Sequence, residues 1–485
     1  MTSYTISKPF ILIVGIFMAH LLSFTLPSVN LEFAFVDAAR YFNSKDISLL
    51  DQYFRFQANT LGIPYLGHLT SLILPNLSGL VALRLLSTLG VVLLGLSIIN
   101  ICNFLNRKDI VSLLLLILLN PLIWIYSGRA TADFLPSALG IFSISLIISK
   151  DKSTAKILFA SILMGIAAIL KYHSILLILI LICFLYDYKI KRFEWKIFSI
   201  FSSISILILL FYIILVHKYF GFWITPPAYL KIHQINISGI INNYFLYLGY
   251  LVILCAPPSL ALPRWRYFLS KNKYWIIGGG ILLFTCGFLG FHDSGELNLG
   301  PLNAFINQKI LAGLALLLSS FFFTSFFIKS KGEIRTFNRS AIIAIGLVIL
   351  ILSLTRPAQR YLLFVIPFYI LLLPKSVISS KTVINCSLGL YLLANIYVGY
   401  SQWCTGTSAN RIVEKIRQAN LLSVTDPGDI VVHVGNQFNT ANDNNFAYTV
   451  VSGYIPGARI YSQSGILFLK KSFSLVEVKW QPNKN

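Results

Sequence analysis

The sequence predicts an all-α polytopic membrane bundle with a small α/β domain at its C-terminal end, and three observations carry that prediction. The 485 residues are 56% hydrophobic and only 12% charged, too few charges to coat a soluble fold of this length. Apolar runs of ~20 residues recur from Pro9 to Tyr400, the length that crosses ~30 Å of hydrocarbon as a helix. The runs lack strict alternation and exceed barrel-strand length, so helices are left to satisfy the backbone polar groups in lipid.

Taken in order, the windows place spans at 9–27, 80–104, 110–127, 131–149, 157–171, 173–187, 197–216, 241–262, 275–291, 305–328, 341–354, 361–374 and 382–400, about 13 helices by hydropathy. The first run has no convincing small-residue cleavage site after it, so it reads as a span rather than a signal peptide. Two regions stand outside this pattern. The first outer loop, 28–64, repeats Leu31, Ala34, Phe35, Ala38 and Phe42, then Ile47, Leu50, Phe54 and Leu61, at helical spacing, which predicts two interfacial helices. Tyr65–Leu74 is too short to span and leads into the turn-like PNLSG at 75–79, which predicts a re-entrant or interfacial stretch. The tail, 401–485, contains the amphipathic ANRIVEKIRQANLL and the strand-like DPGDIVVHVG, GARIYS, GILFLKK and SFSLVEVKW, an extracytoplasmic α/β domain beside the 1–400 membrane domain.

The formal net charge is +22, and its placement sets topology. With the N-terminus inside, alternate loops carry Arg107/Lys108, Lys150/Lys152/Lys156, Lys189/Lys191/Arg192/Lys196, Arg264/Arg266/Lys271/Lys273, Lys329/Lys331/Arg335/Arg339 and Lys375/Lys381. The opposite short loops are poorer in Lys and Arg, so positive-inside orientation puts the C-terminal tail outside. No basic stripe with interleaved aromatics falls in a soluble segment, which excludes nucleic-acid binding as the reason for the charge. Of the six cysteines only Cys404 maps outside, so no exported disulfide pair is available. No His/Cys cluster has zinc spacing.

Glu32, Asp37, Asp46, Asp51, Asp133, Asp293 and Glu296 all map to the outer boundary, together with Arg40, Arg55, Arg84, Arg129, Lys171, Lys218, Lys231, Lys309, Arg356 and Arg360. Mixed signs converging on one rim point to an outward-facing polar cavity. In FVDAARYF, Asp37, Arg40 and Tyr41 share one helix face at i, i+3 and i+4. A carboxylate there takes a proton from a hydroxyl while a guanidinium forks onto phosphate oxygens; a surface ion pair is the plain alternative. Tyr65 and His68, three apart in GIPYLGHLTSLIL, offer two donors to an anion or, more plainly, form an interfacial aromatic belt. Arg129 and Asp133 open the fourth span, Lys171, Tyr172 and His173 sit between the fifth and sixth, and Arg356 and Arg360 precede the twelfth. Each group alone is explained by anchoring.

With those motifs in order, the chain resembles the GT-C superfamily of polyprenyl-phosphate-sugar glycosyltransferases, nearest the branch of aminoarabinose transferases and protein O-mannosyltransferases. Asp37, Arg40 and Tyr41 match the acidic residue, Arg and Tyr that open the family's first outer loop. Tyr65 fits the Gly-x-Pro-Tyr-like stretch that follows, with His68 where Lys is usual. Arg84 in VALRLLSTLG matches a family Arg at the second span, Asp133 the second outer carboxylate, Lys171 the Lys closing the fifth span, and QRYLLFVIP the stretch near the twelfth. Val36 and Ala38 flank Asp37 where the family often has adjacent acids, and the usual Lys-Pro-Pro after the Tyr is absent.

The resemblance implies an inverting transfer of a sugar from a polyprenyl-phosphate donor to an acceptor hydroxyl or phosphate at the outer face. It implies Asp37 and Asp133 as catalytic carboxylates and Arg40, Tyr41, Tyr65, His68, Arg84, Lys171 and Arg360 as the donor-phosphate set. Partners are then the lipid-linked sugar, a lipid, glycan or protein acceptor, and membrane lipid. Some relatives use a divalent metal, and no residue pattern here demands one. The expected location is a bacterial inner membrane with the site facing outward. A transporter or flippase is one rival class, distinguished by internal repeats and polar residues at mid-bilayer; a non-catalytic membrane partner that binds through the outer domain is the other, and the retained Asp37 argues against it.

Overall fold

The structure is a computed structural model that describes residues 8–26, 32, 60–149, 152–187, 190–224, 239–261, 273–289, 308–324, 332–354, 358–418, 428–434, 459–462 and 475–482. It is mostly helical, with several apolar helices among the described residues.

The N-terminal half runs α1 (Lys8–Phe24), α2 (Gly62–Ile73), α3 (Gly79–Phe104), α4 (Ile110–Leu118), α5 (Pro121–Ser127), α6 (Phe134–Ile147), α7 (Thr154–Leu170), α8 (Leu177–Leu185) and α9 (Trp195–Phe220). The C-terminal half adds α10 (Ile240–Leu254), α11 (Lys273–Leu289), α12 (Gln308–Thr324), α13 (Gly332–Leu352), α14 (Ile366–Leu372), α15 (Lys375–Ile378) and α16 (Lys381–Gln418). Among the described residues three helices are individually long and apolar enough to cross a membrane, or four when α4 and α5 are taken as one bent span.

Local chemistry explains the differences from the windows. The 110–127 span is broken, α4 and α5 meeting at 63°. Pro121 lacks the N–H that would continue the helix, and it disfavours helical backbone at Asn120. Asn120 instead caps α5, its side chain accepting from the Leu122 N–H at 3.1 Å while its amide donates to Leu254 O at 2.7 Å. The predicted 173–187 and 361–374 spans each begin with a 3-10 turn, Tyr172–Leu176 and Gln359–Phe364. At the PNLSG turn, Ser78 caps α3 by accepting from the Val81 N–H. α9 ends on Gly221, whose φ of 75° is the left-handed cap conformation glycine adopts without a Cβ penalty.

Packing follows the chain order locally: α3 lies on α6, α6 on α7, and α7 on α9, while α12 packs between α10 and α11. At the α10–α12 crossing, a Cβ on Gly249 would lie 1.8 Å from the Ala315 carbonyl oxygen, so only glycine permits that approach. One large apolar core runs through the bundle. A second, smaller cluster brings Leu61, Ile63, Leu83, Ala130, Ala132, Leu135 and Leu170 together, joining the starts of α2, α3 and α6 to the end of α7.

The charged loop at the other end has its own clamp. Arg107 donates to Asp109 and also to the carbonyls of Leu371 and Leu373 at 2.9 and 3.0 Å, occupying acceptors that the end of α14 leaves open. Lys152 pairs with Glu194 at that same set of loops.

In the tail, β1 (Gly428–Val434), β2 (Arg459–Ser462) and β3 (Leu475–Pro482) form a mixed sheet in the order β2-β1-β3. Val431 is opposite Arg459 in the parallel pair and Lys479 in the antiparallel pair. These are three of the four predicted strands; GILFLKK lies outside the described residues. The predicted amphipathic helix is not separate, because α16 continues without a break from the last span through the 400/401 boundary to Gln418.

Candidate functional site

The small cluster marks the end of the bundle where the candidate residues gather. Asp133 precedes α6, Lys171 follows α7, and Arg360 lies in the 3-10 turn Gln359–Phe364. Lys171 donates to Asp133 Oδ1 in an ion pair with both side chains buried. Arg360 Nε lies 3.6 Å from the same oxygen and is about a fifth exposed. Tyr361, next in sequence, offers its ring face to both cations, with Lys171 Nζ 4.8 Å and the Arg360 guanidinium carbon 5.7 Å from the centroid. The imidazole of His173 stacks on that ring at 4.5 Å and 24°.

Two formal positive charges thus face one carboxylate in a largely water-excluded place. An isolated buried cation would be costly, and Asp133 offsets much of that cost. His173 and Tyr361 wall the cluster and were absent from the sequence-derived site set, although each adjoins one of its members. The signal that could have found them is that adjacency, Lys-Tyr-His at 171–173 and Arg-Tyr at 360–361.

Arg84 takes a different place from the phosphate-binding one expected. Its Nε and Nη2 donate to the two oxygens of buried Glu32, both at 2.7 Å. Its Nη1 donates to Phe24 O at 2.7 Å and Leu26 O at 2.5 Å. With its fork taken by a carboxylate and two carbonyls, the guanidinium is committed to protein partners rather than to a lipid phosphate. Glu32 also accepts from the Ala130 N–H at 2.7 Å.

Tyr65 and His68 sit one turn apart on α2, ring centroids 6.1 Å from each other, Tyr65 exposed and His68 half-buried. Asp37, Arg40 and Tyr41 lie outside the described residues. The chain resumes at Thr60, whose hydroxyl donates to Leu170 O at 2.7 Å, and at Leu61, whose N–H donates to the Tyr212 hydroxyl at 2.7 Å. A Cβ on Gly62 would lie 2.6 Å from Ile169 O, so this entry into α2 is pressed onto the backbone that leads to Lys171.

One buried titratable group went unnoticed in the sequence because it sits alone in an apolar helix. His20 of α1 donates from Nε2 to Leu118 O at 2.9 Å, and its Nδ1 lies 2.5 Å from Ser127 Oγ. It serves the α4–α5 break, taking up a carbonyl that the interrupted helix leaves without an amide.

The donor chemistry does not fit a bound divalent metal among the described residues. No three His, Cys, Asp or Glu side chains converge, and the Asp133 carboxylate is engaged by Lys171.

No protein-family model matches the chain, and no curated protein matches it. Among solved structures it is similar to ArnT from Cupriavidus metallidurans bound to undecaprenyl phosphate, at 12% identity and a TM-score of 0.48 over 93% of this chain and 85% of that one. It is similar also to the same protein in the apo state, at 12% identity and a TM-score of 0.47 over 94% and 86%.

Proposed function

We propose that the chain is an integral membrane glycosyltransferase that moves a sugar from a polyprenyl-phosphate donor to an acceptor hydroxyl or phosphate at the outer face. The observation that carries this reading is the Asp133–Lys171–Arg360 cluster, one carboxylate in reach of two cations, at one end of a bundle of apolar helices. A prenyl chain is held in the bilayer by ~0.8 kcal/mol per buried CH₂, so its phosphate is presented at such an end. Arg360, the more exposed member, meets that phosphate first, while Lys171 is held ready by Asp133.

The reaction is a single inverting displacement. The acceptor oxygen attacks the anomeric carbon, the bond from that carbon to the phosphate oxygen breaks, and the phosphate leaves with the electron pair. Asp37 takes the acceptor's proton as general base. Arg40, His68, Lys171 and Arg360 stabilise the departing phosphate by charge already in place, which needs no covalent intermediate. Tyr41 and Tyr65 donate to the same headgroup. Asp133 orients Lys171, a role supported by their contact. Arg84 acts at one remove, through Glu32. An outward-facing site in a bacterial inner membrane completes the reading.

The test compares lipid-linked sugars in cells carrying the wild-type chain, Asp37→Asn, Asp133→Asn or no copy. Loss of a general base lowers turnover by roughly 10²–10⁴-fold, so a polyprenyl-phosphate sugar should accumulate in Asp37→Asn cells as in cells lacking the chain. Full transfer by Asp37→Asn in a correctly inserted protein would overturn the mechanism. Movement of an intact lipid or solute across proteoliposomes, with no sugar transferred, would favour a transporter or flippase instead.

A further inference from the structure

The loop between α8 and α9, at the end of the bundle away from Asp133, folds into a small hairpin. Tyr186–Asp187 pairs antiparallel with Arg192–Phe193, Tyr186 opposite Phe193 and Asp187 opposite Arg192. Asp187 Oδ1 accepts from the Ile190 N–H at 3.2 Å, and Lys191 makes the return with a left-handed φ of 52°. The Glu194 N–H donates to Leu185 O at 3.1 Å, tying the start of α9 to the end of α8. Lys152, just before α7, pairs with the Glu194 carboxylate. Three helices therefore hold the hairpin in place.

Its surface carries two chemistries side by side. Phe193, Trp195 and Phe198 form an edge-to-face trio with centroids 4.5, 5.4 and 6.3 Å apart. Even so, Trp195 is 67% exposed, and Ile190 on the turn is 62% exposed, so the trio is preformed but uncovered. The exposed face continues along α9 from Trp195 through Ser199, Ser203, Leu207, Leu210 and Ile214, steps of three and four that make one helix face. The two serines leave that face shallow next to Trp195, and it is apolar beyond them. Lys191, Arg192 and Lys196 are exposed around the trio.

Charge alone marks inner loops in general, and an acidic soluble partner would match the cations without using the apolar face beside them. An anionic phospholipid matches both at once. Its phosphodiester accepts from guanidinium and ammonium groups, its acyl chains cover apolar side chains, and a tryptophan sits at the level between. We infer that the hairpin docks an anionic phospholipid of the leaflet at the end opposite Asp133. The headgroup lies against Lys191, Arg192 and Lys196, and the acyl chains lie along the Trp195–Ile214 face of α9. This contact is independent of the transferase reading, which concerns the other end of the bundle.

The experiment places the full chain in nanodiscs of equal parts phosphatidylglycerol and phosphatidylcholine, and native mass spectrometry reads which lipids stay bound after release into detergent. Wild type should retain phosphatidylglycerol over phosphatidylcholine by about tenfold, and Lys191→Gln/Arg192→Gln/Lys196→Gln should bring that preference to about twofold or less. The control, Lys108→Gln/Lys375→Gln/Lys381→Gln, removes equal charge from exposed positions at the same end and should stay within about twofold of the wild-type preference. Trp195→Ala should keep the headgroup preference and lower total retention by about threefold. A second measurement uses wild type alone, so it decides the matter even where a variant folds poorly. Phosphatidylglycerol carrying a diazirine on its acyl chain should label the 195–214 face of α9 above other lipid-facing helices. Equal loss of preference in the hairpin variant and the control would overturn the inference, and so would labelling spread evenly over the bundle or no preference in wild type. Capture of a poly-glutamate peptide by wild type but not by the hairpin variant, with lipid retention the same in both, would give the surface to an acidic protein instead.

Discussion

Asp133 answers to two cations, and they differ in what they offer. Lys171 is buried and in direct contact, whereas Arg360 is partly exposed and 3.6 Å away. Removing the buried partner therefore leaves a carboxylate that the distant guanidinium serves poorly. Lys171→Met should destabilise the folded chain by about 3–5 kcal/mol, the cost of breaking a buried pair from one side. The measurement is thermal unfolding in detergent, and adding Asp133→Asn to that variant should recover most of the loss, because the unpaired charge is then gone. An equal loss in the single and double variants would show that the pair's charges are not what matters there. His20 makes a parallel case deeper in the bundle. His20→Leu strands Leu118 O and should cost about 1–3 kcal/mol, the desolvation penalty of a buried group left without a partner, by the same unfolding measurement.

At the scale of elements, close helix approach and capping set where the spans can sit. The α10–α12 crossing tolerates no side chain at position 249, since its Cβ would overlap Ala315 O. Gly249→Val should cost upwards of about 3 kcal/mol, beyond ordinary overpacking because backbone rather than a side-chain tip must move. Gly389→Ala on α16 is the comparison, with open space around its Cβ and an expected change within about 0.5 kcal/mol. Yields of folded protein by size-exclusion chromatography separate the two. The α4–α5 break depends on Asn120. Asn120→Ala removes the cap and the bond to Leu254 O, and should lower stability by about 1–2 kcal/mol. A break of this kind is legible from Pro121 alone as an interruption. Its angle is not, because the angle comes from what α1 and α16 supply to the freed carbonyls, His20 to Leu118 O and Asn395 to Leu119 O.

For the whole molecule, the charge distribution predicts a direction across the membrane. Asn76 lies in the exposed turn between α2 and α3, at the end that holds Asp133, while Lys152 lies with Glu194 at the opposite set of loops. In a chain freed of its native cysteines, Asn76→Cys should react with a membrane-impermeant maleimide added outside intact cells, and Lys152→Cys should react only after lysis. The reverse pattern would turn the Asp133 end toward the cytoplasm and remove the outward-facing transferase. The membrane class and the succession of apolar helices were readable from the sequence, because hydropathy is summed over neighbours along the chain. Which charges pair was not readable. Asp133 meets Lys171 and Glu32 meets Arg84 across 38 and 52 positions, and only helix packing brings such partners together. That is why Arg84, which the resemblance put among the phosphate ligands, is held by Glu32 in the fold, and why the stacking of His173 on Tyr361 beside Lys171 appears only in three dimensions.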